Sequence, residues 1–298
     1  MKIAQFETSH GYLVGLRHRG AWLNYTKAEA FYHLGQSTLA MQHLTTVSQM
    51  LELGVCEPRR IRTVLDFVDS TRLLRHVRIP ADAALRAPLV RPGKIIALGL
   101  NYMLHIKEGT FAPPAEPVLF AKASSSVIGS GQTVRIPRGM GRMDHEVELA
   151  VVIGKRAVGV RKREAYRYVA GYTIINDVTA RDLQAKDQEQ RHPWFRSKSF
   201  DTFTPMGPWI VTADEIPPPV HLNLECRVNG RLRQKSNTKN LVFDIPTIIE
   251  SLTRHITLDP GDVISTGTPA GIGPITHGDE VTCTIERIGT LRTPVKYR

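Results

Sequence analysis

Hydrophobic and polar residues follow strand-like patterns in the last two-thirds of the chain. In segment 221–228 every second residue is apolar, which is the pattern of a strand with one buried face. The dipeptide Asn229-Gly230 follows, and both residues tolerate the positive φ of a tight hairpin turn. Apolar runs of strand length occupy 94–99, 148–154 and 170–175. These patterns predict a region rich in β-strands.

Helical patterns are fewer. Apolar residues recur near helical spacing between Gly35 and Leu53, which predicts a helix there. These residues are Leu39, Met41, Leu44, Val47 and Leu51. A shorter helix is predicted from Asp244 to about His255, because Asp244 can bind free backbone N–H groups and Pro246 suits a first turn.

Proline and glycine interrupt regular structure in segment 87–93, so we place a domain boundary there. Residues 1–88 are interpreted as a small α+β accessory domain. Residues 89–298 are interpreted as a larger domain, mostly β with a few helices. This α+β fold class is closer to a β-roll or β-sandwich than to alternating βαβ units.

The excess of basic residues indicates which kind of molecule the protein binds. Lys and Arg number 39 against 28 Asp and Glu, which gives a formal net charge of +11. Such an excess attracts either nucleic acid or small anions. The densest basic clusters, 59–62 and 155–167, lack the interleaved aromatic residues of a base-stacking surface. We therefore expect a small anionic partner and no nucleic acid.

The cysteines and the hydropathy indicate a cytoplasmic protein. Cys56, Cys226 and Cys283 lie far apart and form no Cys-x-x-Cys motif, so neither a disulfide framework nor a structural zinc site is expected. No apolar run approaches the roughly 18 residues of a membrane span. The first residues have no apolar core of signal-peptide length. We expect no membrane association.

Two carboxylates, Glu146 and Glu148, are two residues apart in a predicted strand. Side chains with this spacing point the same way. Asp177 follows the apolar run 170–175 and can bring a third carboxylate from the next strand. Oxygen ligands of this kind suit Mg²⁺. The alternative is that the two glutamates form the solvent face of an edge strand.

Other polar groups are candidates for chemistry. His105 and Glu108 are three residues apart and share a face if they lie on one helical turn, where the carboxylate would raise the basicity of the imidazole. A surface pair on a loop is the alternative. Lys198, among aromatic residues, can bind a carboxylate or enolate oxygen, or it can cover apolar surface with its stem.

A glycine-rich segment, 265–274, follows the predicted strand 263–265. Its backbone N–H groups and the Thr268 hydroxyl can hold an anion. The segment lacks the Gly-Lys-Ser/Thr ending of a P-loop, and an ordinary turn is the alternative.

Together these segments resemble the fumarylacetoacetate hydrolase family, from about Lys94 to the C-terminus. The resemblance implies a mixed β-sandwich roll for this region and a homodimer. The matching segments are Gly99-Leu100-Asn101-Tyr102 with His105 and Glu108, then 117–122, 146–154, 176–184, 198–203, 243–246 and Thr266-Gly267-Thr268-Pro269.

The resemblance also implies the roles of individual residues. It places Mg²⁺, or Mn²⁺, on Glu146, Glu148 and Asp177. It makes His105 and Glu108 a water-activating pair on a lid segment, with Lys198 as a further catalytic residue. The residues that it assigns to substrate binding are Tyr102, Arg181, Gln184, Gly267 and Thr268.

The implied activity is a magnesium-dependent hydrolase, with a place in aromatic compound catabolism. It would cleave a C–C bond of a small anionic, acylpyruvate-like 2-oxo acid and leave an enolate that the cation stabilises. The same site would serve an isomerase of the 2-hydroxyhepta-2,4-diene-1,7-dioate type or an oxaloacetate-type decarboxylase. A nucleic-acid-binding or non-catalytic scaffold is the alternative from another class.

Overall fold

The computed structural model describes residues 1–38, 44–109 and 112–298. Its strands in chain order are β1 (Lys2–Thr8), β2 (Gly11–His18), β3 (Ala21–Asn24), β4 (Ala84–Arg86), β5 (Ile95–Gly99), β6 (Val118–Lys122), β7 (Val127–Ile128), β8 (Val134–Ile136), β9 (Met143–His145), β10 (Val147–Ile153), β11 (Val169–Asn176), β12 (Thr179–Ala180), β13 (Thr204–Thr212), β14 (Asn223–Val228), β15 (Arg231–Asn237), β16 (Val263–Ser265), β17 (Gly273–Pro274), β18 (Glu280–Ile285) and β19 (Gly289–Tyr297).

The α-helices lie between these strands in the sequence. They are α1 (Tyr25–Gly35), α2 (Val47–Glu52), α3 (Pro58–Ser70), α4 (Met103–Glu108), α5 (Arg181–Glu189), α6 (Phe195–Lys198) and α7 (Ile245–Thr253). The predicted α+β class is confirmed. In the described part of the chain, no helix combines the length and the hydropathy that crossing a membrane requires.

Two large mixed sheets form the body of the molecule. The first has the order β3-β2-β1-β13-β11-β10-β16-β5-β6, with β4 beside β1 and β7 beside β13. The second has the order β15-β14-β18-β19-β8. A small third sheet, β12-β9-β17, lies at the end of β10 and brings the glycine-rich segment towards it. The arrangement agrees with the predicted sandwich roll.

Strand β10 contributes to two hydrophobic cores, which explains its continuous apolar sequence. Every residue of the strand is buried. Leu149 and Val151 pack in the core between the two large sheets. Ala150 and Val152 pack on the opposite side, in the core that includes helices α1 to α3. A strand covered on both faces needs no polar alternation.

The first strands extend the central sheet. Strand β1 pairs antiparallel with β13, where Lys2 lies opposite Val211 and Ile3 opposite Ile210. The proposed boundary at residue 88 falls in the connection between β4 and β5.

The prediction of one helix from Gly35 to Leu53 is wrong over the described residues. Helix α1 ends at Gly35, and Ser37 adopts a φ of +53°, outside the helical region. Helix α2 begins only at Val47, where Thr46 and Gln49 form a capping box. Of the apolar residues on which the prediction rested, Leu39 and Met41 lie outside the described part of the chain.

Local predictions for the second sheet hold. The observed strand β14 buries Leu224, Cys226 and Val228 on alternate positions. Asn229 and Gly230 have φ values of +51° and +75°, as the predicted hairpin requires. The side chain of Asp244 accepts the backbone N–H of Thr247 at the start of α7.

Candidate active site

Three carboxylates meet where the central sheet ends. Glu148 lies in β10, and Asp177 follows the last residue of β11. One oxygen of each of these groups, and one of Glu146, lie within 4.8 Å of one another. We call Glu146, Glu148 and Asp177 the acid trio. All three are buried, so the alternative of a solvent-exposed strand face is excluded.

Glu146 differs from its predicted placement in a strand. It lies in the one-residue interval between β9, in the small third sheet, and β10, in the central sheet. Its backbone N–H donates to the side-chain Oδ1 of Asn176 at 2.9 Å instead of to a neighbouring strand. The chain changes sheets at this residue, and its carboxylate still joins that of Glu148.

Two buried lysines neutralise part of this negative charge. The Nζ of Lys198 lies 2.8 Å from Glu146 Oε2 and 2.6 Å from Asp177 Oδ2. The Nζ of Lys122 lies 2.6 Å from Asp177 Oδ1 and donates to the backbone carbonyl of Lys198. Sequence reasoning assigned no role to Lys122. The signal available was a lysine at the end of the apolar run 118–121.

Glu146 and Glu148 of the acid trio differ in how far nearby cations compensate their negative charge. Burial disfavours the charged form of Glu146, but the nearby cations Lys198 and Arg181 outweigh burial and hold the pKa of this carboxyl below its usual range. Burial, together with the charges of Asp177 and Glu146, raises the pKa of Glu148 to about 8. Glu148 is therefore the member whose negative charge is least compensated by the protein.

Protein donors already hold Glu148 in position. Its Oε2 accepts the Ser265 hydroxyl at 2.6 Å and the Gly267 backbone N–H at 2.8 Å. Three close carboxylates with oxygen ligands, buried beside a cavity, fit a hard divalent cation such as Mg²⁺ or Mn²⁺. Glu146, Glu148 and Asp177 are the residues that can hold it.

His105 and Glu108 are in contact on helix α4. The Nδ1 of His105 lies 3.0 Å from Glu108 Oε2. The other oxygen of Glu108 accepts the backbone N–H of Gly271, at 3.0 Å, from the glycine-rich segment. The predicted helical turn is present. Glu108 is held in place by two contacts, one with His105 and one with the backbone of Gly271.

A single cavity of about 410 Å³ is lined by two carboxylates of the acid trio and by this pair. Glu146, Glu148, His105, Glu108 and Lys198 all contribute to its lining. Among the residues predicted to bind substrate, Arg181, Gln184 and Thr268 also line it, whereas Tyr102 and Gly267 do not. The remaining lining residues are Leu98, Gly99, Leu100, Gly109, Phe120, Arg142, Gln188, Trp194 and Ile272.

Some of the residues predicted to bind substrate make hydrogen bonds to other residues of the protein. The Arg181 guanidinium donates to Asp144, Gln184 and Glu146. The Thr268 hydroxyl donates to the Val147 carbonyl at 2.9 Å and accepts from the Gln234 amide at 2.8 Å. Tyr102 is 1% exposed, and burial raises its pKa above the usual range.

The fold and the site define a class: two-sheet α+β proteins with a buried carboxylate cation site beside a His–Glu pair. The chain belongs to the fumarylacetoacetate hydrolase family. The sequence model described as "Fumarylacetoacetate (FAA) hydrolase C-terminal" matches residues 94–296.

Relatives within the family are enzymes of different reaction types. The mitochondrial oxaloacetate tautomerase fahd2 of Xenopus laevis is 39% identical over 254 residues, which is 83% of this chain and 77% of that protein. The 2-hydroxyhepta-2,4-diene-1,7-dioate isomerase of Mycobacterium marinum superposes with a TM-score of 0.73 at 30% identity, covering 100% and 99% of the two chains.

A third relative has been solved with a metal ion. The maleylpyruvate hydrolase of Sphingobium sp. SYK-6, in complex with manganese(II) and pyruvate, superposes with a TM-score of 0.76 at 29% identity. The superposition covers 100% of this chain and 99% of that one. A member of this fold family thus binds manganese, and the present chain has a buried trio that can hold such an ion.

Proposed function

We propose that this chain is a Mg²⁺- or Mn²⁺-dependent hydrolase that cleaves a C–C bond of a compact, acylpyruvate-like 2-oxo acid through its enolate. The observation that carries this proposal is one cavity lined both by the trio carboxylates Glu146 and Glu148 and by the His105–Glu108 pair. A cation bound at the trio supplies a Lewis acid that polarises the 2-oxo acid and offsets negative charge. The pyruvate in the manganese complex of maleylpyruvate hydrolase supports the substrate class.

The hydrolytic step follows from the contacts of His105. Glu108 binds Nδ1 of the imidazole, which leaves Nε2 to remove a proton from water. The hydroxide adds to the distal carbonyl carbon, and the bond from that carbon to C3 breaks. The electron pair moves to C3 and the enolate takes up a proton, so that a carboxylic acid and a shorter 2-oxo acid leave. The buried ammonium of Lys198 stabilises the negative charge that forms.

Keto–enol tautomerisation of oxaloacetate is the second candidate. The 39% identity to the Xenopus tautomerase favours it. This reaction uses the same enolate and requires no attack by water. His105 would remove a proton from C3, and the 2-oxo oxygen would gain one to become the enol hydroxyl.

Product identity distinguishes these reactions. Purified protein with Mg²⁺ is given acetylpyruvate, oxaloacetate and a hydroxymuconate-type diacid, and the products are followed by NMR. Hydrolysis predicts acetate and pyruvate from acetylpyruvate. Tautomerisation changes only the keto-to-enol ratio of oxaloacetate, decarboxylation releases CO₂, and isomerisation moves the double bond of the diacid. Intact acetylpyruvate beside rapid oxaloacetate tautomerisation would replace the first candidate by the second.

A variant of the pair tests its role in water activation. His105→Ala is expected to lose hydrolysis while it keeps the parental affinity for Mn²⁺, because His105 is not a member of the trio. His10→Ala, in the exposed turn between β1 and β2, is the matched control and should keep both properties. Hydrolysis at the parental rate in His105→Ala would place water activation elsewhere.

A further inference from the structure

A second arginine lines the cavity beside Arg181. We propose that Arg142 is a specificity-determining residue, which binds a carboxylate at the end of the substrate opposite to its 2-oxo acid group. The inference rests on the function proposed above and concerns only which 2-oxo acids the cavity selects.

The two arginines differ in how many of their donors are free. Every nitrogen of the Arg181 guanidinium donates to the protein, to Asp144, Gln184 or Glu146. Arg142 uses only Nε, which donates to Asp144 Oδ1 at 2.7 Å. Within the described residues, neither of its terminal nitrogens makes a hydrogen bond. They form the planar fork that binds a carboxylate through two parallel bonds.

Contacts within the protein hold the Arg142 guanidinium in position. Asp144 is fully buried and binds Arg142 with one oxygen and Arg181 with the other. The backbone N–H of Arg142 donates to Asp182 Oδ2 at 3.1 Å, and its carbonyl accepts the N–H of Arg181 at 2.8 Å. A side chain fixed in this way loses little conformational entropy when it binds an anion.

Gly141 allows this close approach. Its φ is +78°, and a Cβ atom at this position would lie 2.1 Å from Asp182 Oδ2. The backbone before Arg142 therefore packs directly against the start of helix α5, which a larger residue would prevent.

Arg142 lines the same cavity as Glu146 and Glu148 of the trio. A continuous chain of contacts runs from Arg142 to Asp144, then to Arg181, and from there to Glu146. Its side chain is 46% exposed, so an entering anion can reach it. Phe120 and Trp194, whose ring centroids are 5.7 Å apart, give the cavity an aromatic wall that carries no positive charge to pair with a carboxylate. A distal carboxylate is therefore expected to bind Arg142.

Two stable 2-oxo acids of equal chain length test the proposal. 2-Oxoglutarate has a distal carboxylate where 2-oxopentanoate has a methyl group. Binding of each to the Mn²⁺-loaded protein is measured by isothermal titration calorimetry. The parent is expected to bind 2-oxoglutarate about tenfold more tightly, the typical effect of a hydrogen bond to a charged group. Arg142→Gln should lose this preference and change its affinity for 2-oxopentanoate by less than about twofold.

The control and the outcomes separate this proposal from the function on which it rests. Arg135→Gln, an exposed arginine of β8 outside the cavity lining, should behave as the parent. A preference for 2-oxoglutarate that persists in Arg142→Gln, or that the parent lacks, overturns the role of Arg142 and leaves the 2-oxo acid site standing. If the Mn²⁺-loaded parent binds neither acid, both proposals fall.

Discussion

Lys122 shows how much of the site depends on residues that hold its members in place. Its ammonium is fully buried and contacts Asp177, while Lys198 contacts Asp177 and Glu146. Burial lowers the pKa of Lys122, whereas the charges of Asp177 and Glu146 outweigh burial and raise the pKa of Lys198. The two lysines therefore keep close carboxylates compatible with the folded state in the absence of a cation.

Removing one of these lysines should destabilise the metal-free protein. Lys122→Met leaves Asp177 with one cationic partner, and breaking a buried ion pair typically costs about 3–5 kcal/mol. Urea unfolding without and with Mn²⁺ measures the effect, and Mn²⁺ should recover much of the loss because it restores positive charge. Lys155→Met, at an exposed lysine, should change the unfolding free energy by less than about 0.5 kcal/mol. Equal stability of Lys122→Met and the parent would contradict this account.

Asp187 provides a pH-dependent contact near the cavity. Its carboxylate accepts Arg196 Nε at 2.8 Å, and the hydrogen bonds from Arg196 lower its pKa. A carboxyl whose folded-state pKa is lowered stabilises the protein above its ordinary pKa of about 3.9, and this stabilisation is lost as the pH falls. The pair joins helices α5 and α6 on either side of Trp194, which lines the cavity.

The stability of Asp187→Asn should therefore depend on pH differently from that of the parent. Its unfolding midpoint is expected to be lower near neutral pH, and the difference should shrink as the pH falls from about 5 towards 3. Thermal unfolding across this range, followed by tryptophan fluorescence, checks the sign. A difference that grows on acidification would show that Arg196 does not stabilise the charged form of Asp187.

At the scale of elements, the glycine-rich segment after β16 connects the two halves of the site. The Gly267 N–H donates to Glu148 of the trio, and the Gly271 N–H donates to Glu108 of the pair. The sequence predicted that these N–H groups can hold an anion. They bind carboxylates of the protein itself, because the fold brings β10 and α4 to either end of the segment.

Gly271 is the residue of this segment that tolerates least change. Its φ is +95°, and a Cβ atom would lie 2.2 Å from the Arg233 carbonyl. Gly271→Ala should displace the segment and release Glu108 from its backbone hydrogen bond. We expect kcat to fall about tenfold or more, because a general base usually contributes about 100-fold or more to the rate. Gly278→Ala is the matched control, since its φ is +92° but a Cβ there meets nothing within 4 Å. Steady-state kinetics with similar kcat for both variants would contradict the link to Glu108.

Elements whose apolar residues recur at a regular spacing could be predicted from the sequence. The ends and pairing partners of elements that depend on tertiary contacts could not. Strand β14 alternates apolar and polar residues because one of its faces is buried, and β10 contains an uninterrupted apolar run because both of its faces are buried. The start of α2 at Val47 could not be recognised, because apolar residues at helical spacing also precede it in the sequence. The sheet change at Glu146 depends on which strands pair with β9 and β10, and local sequence does not encode pairing partners.

At the scale of the whole molecule, residues 1–88 share their core with the rest of the chain. Strand β1 pairs with β13, and Ile3 packs in the same core as Ile210 and Val152. Their removal would expose the edge of β13 and one apolar face of the central sheet.

A chain truncated to residues 89–298 should therefore be much less stable than the full chain. We expect its unfolding midpoint to fall by at least about 10 °C, or the protein to aggregate, when both are compared by thermal unfolding. An unchanged midpoint would show that residues 1–88 form a separable accessory domain without a stabilising role.

The most direct test of the central claim is the binding of Mn²⁺ to the acid trio, measured by EPR of the free ion during titration. The parent should bind one Mn²⁺ per chain, and His105→Ala should bind it equally well. Glu148→Ala, which removes one ligand oxygen from the buried trio, should weaken binding by about 100-fold or more and abolish turnover. Parental Mn²⁺ affinity in Glu148→Ala, or full activity of this variant with excess EDTA, would contradict the account.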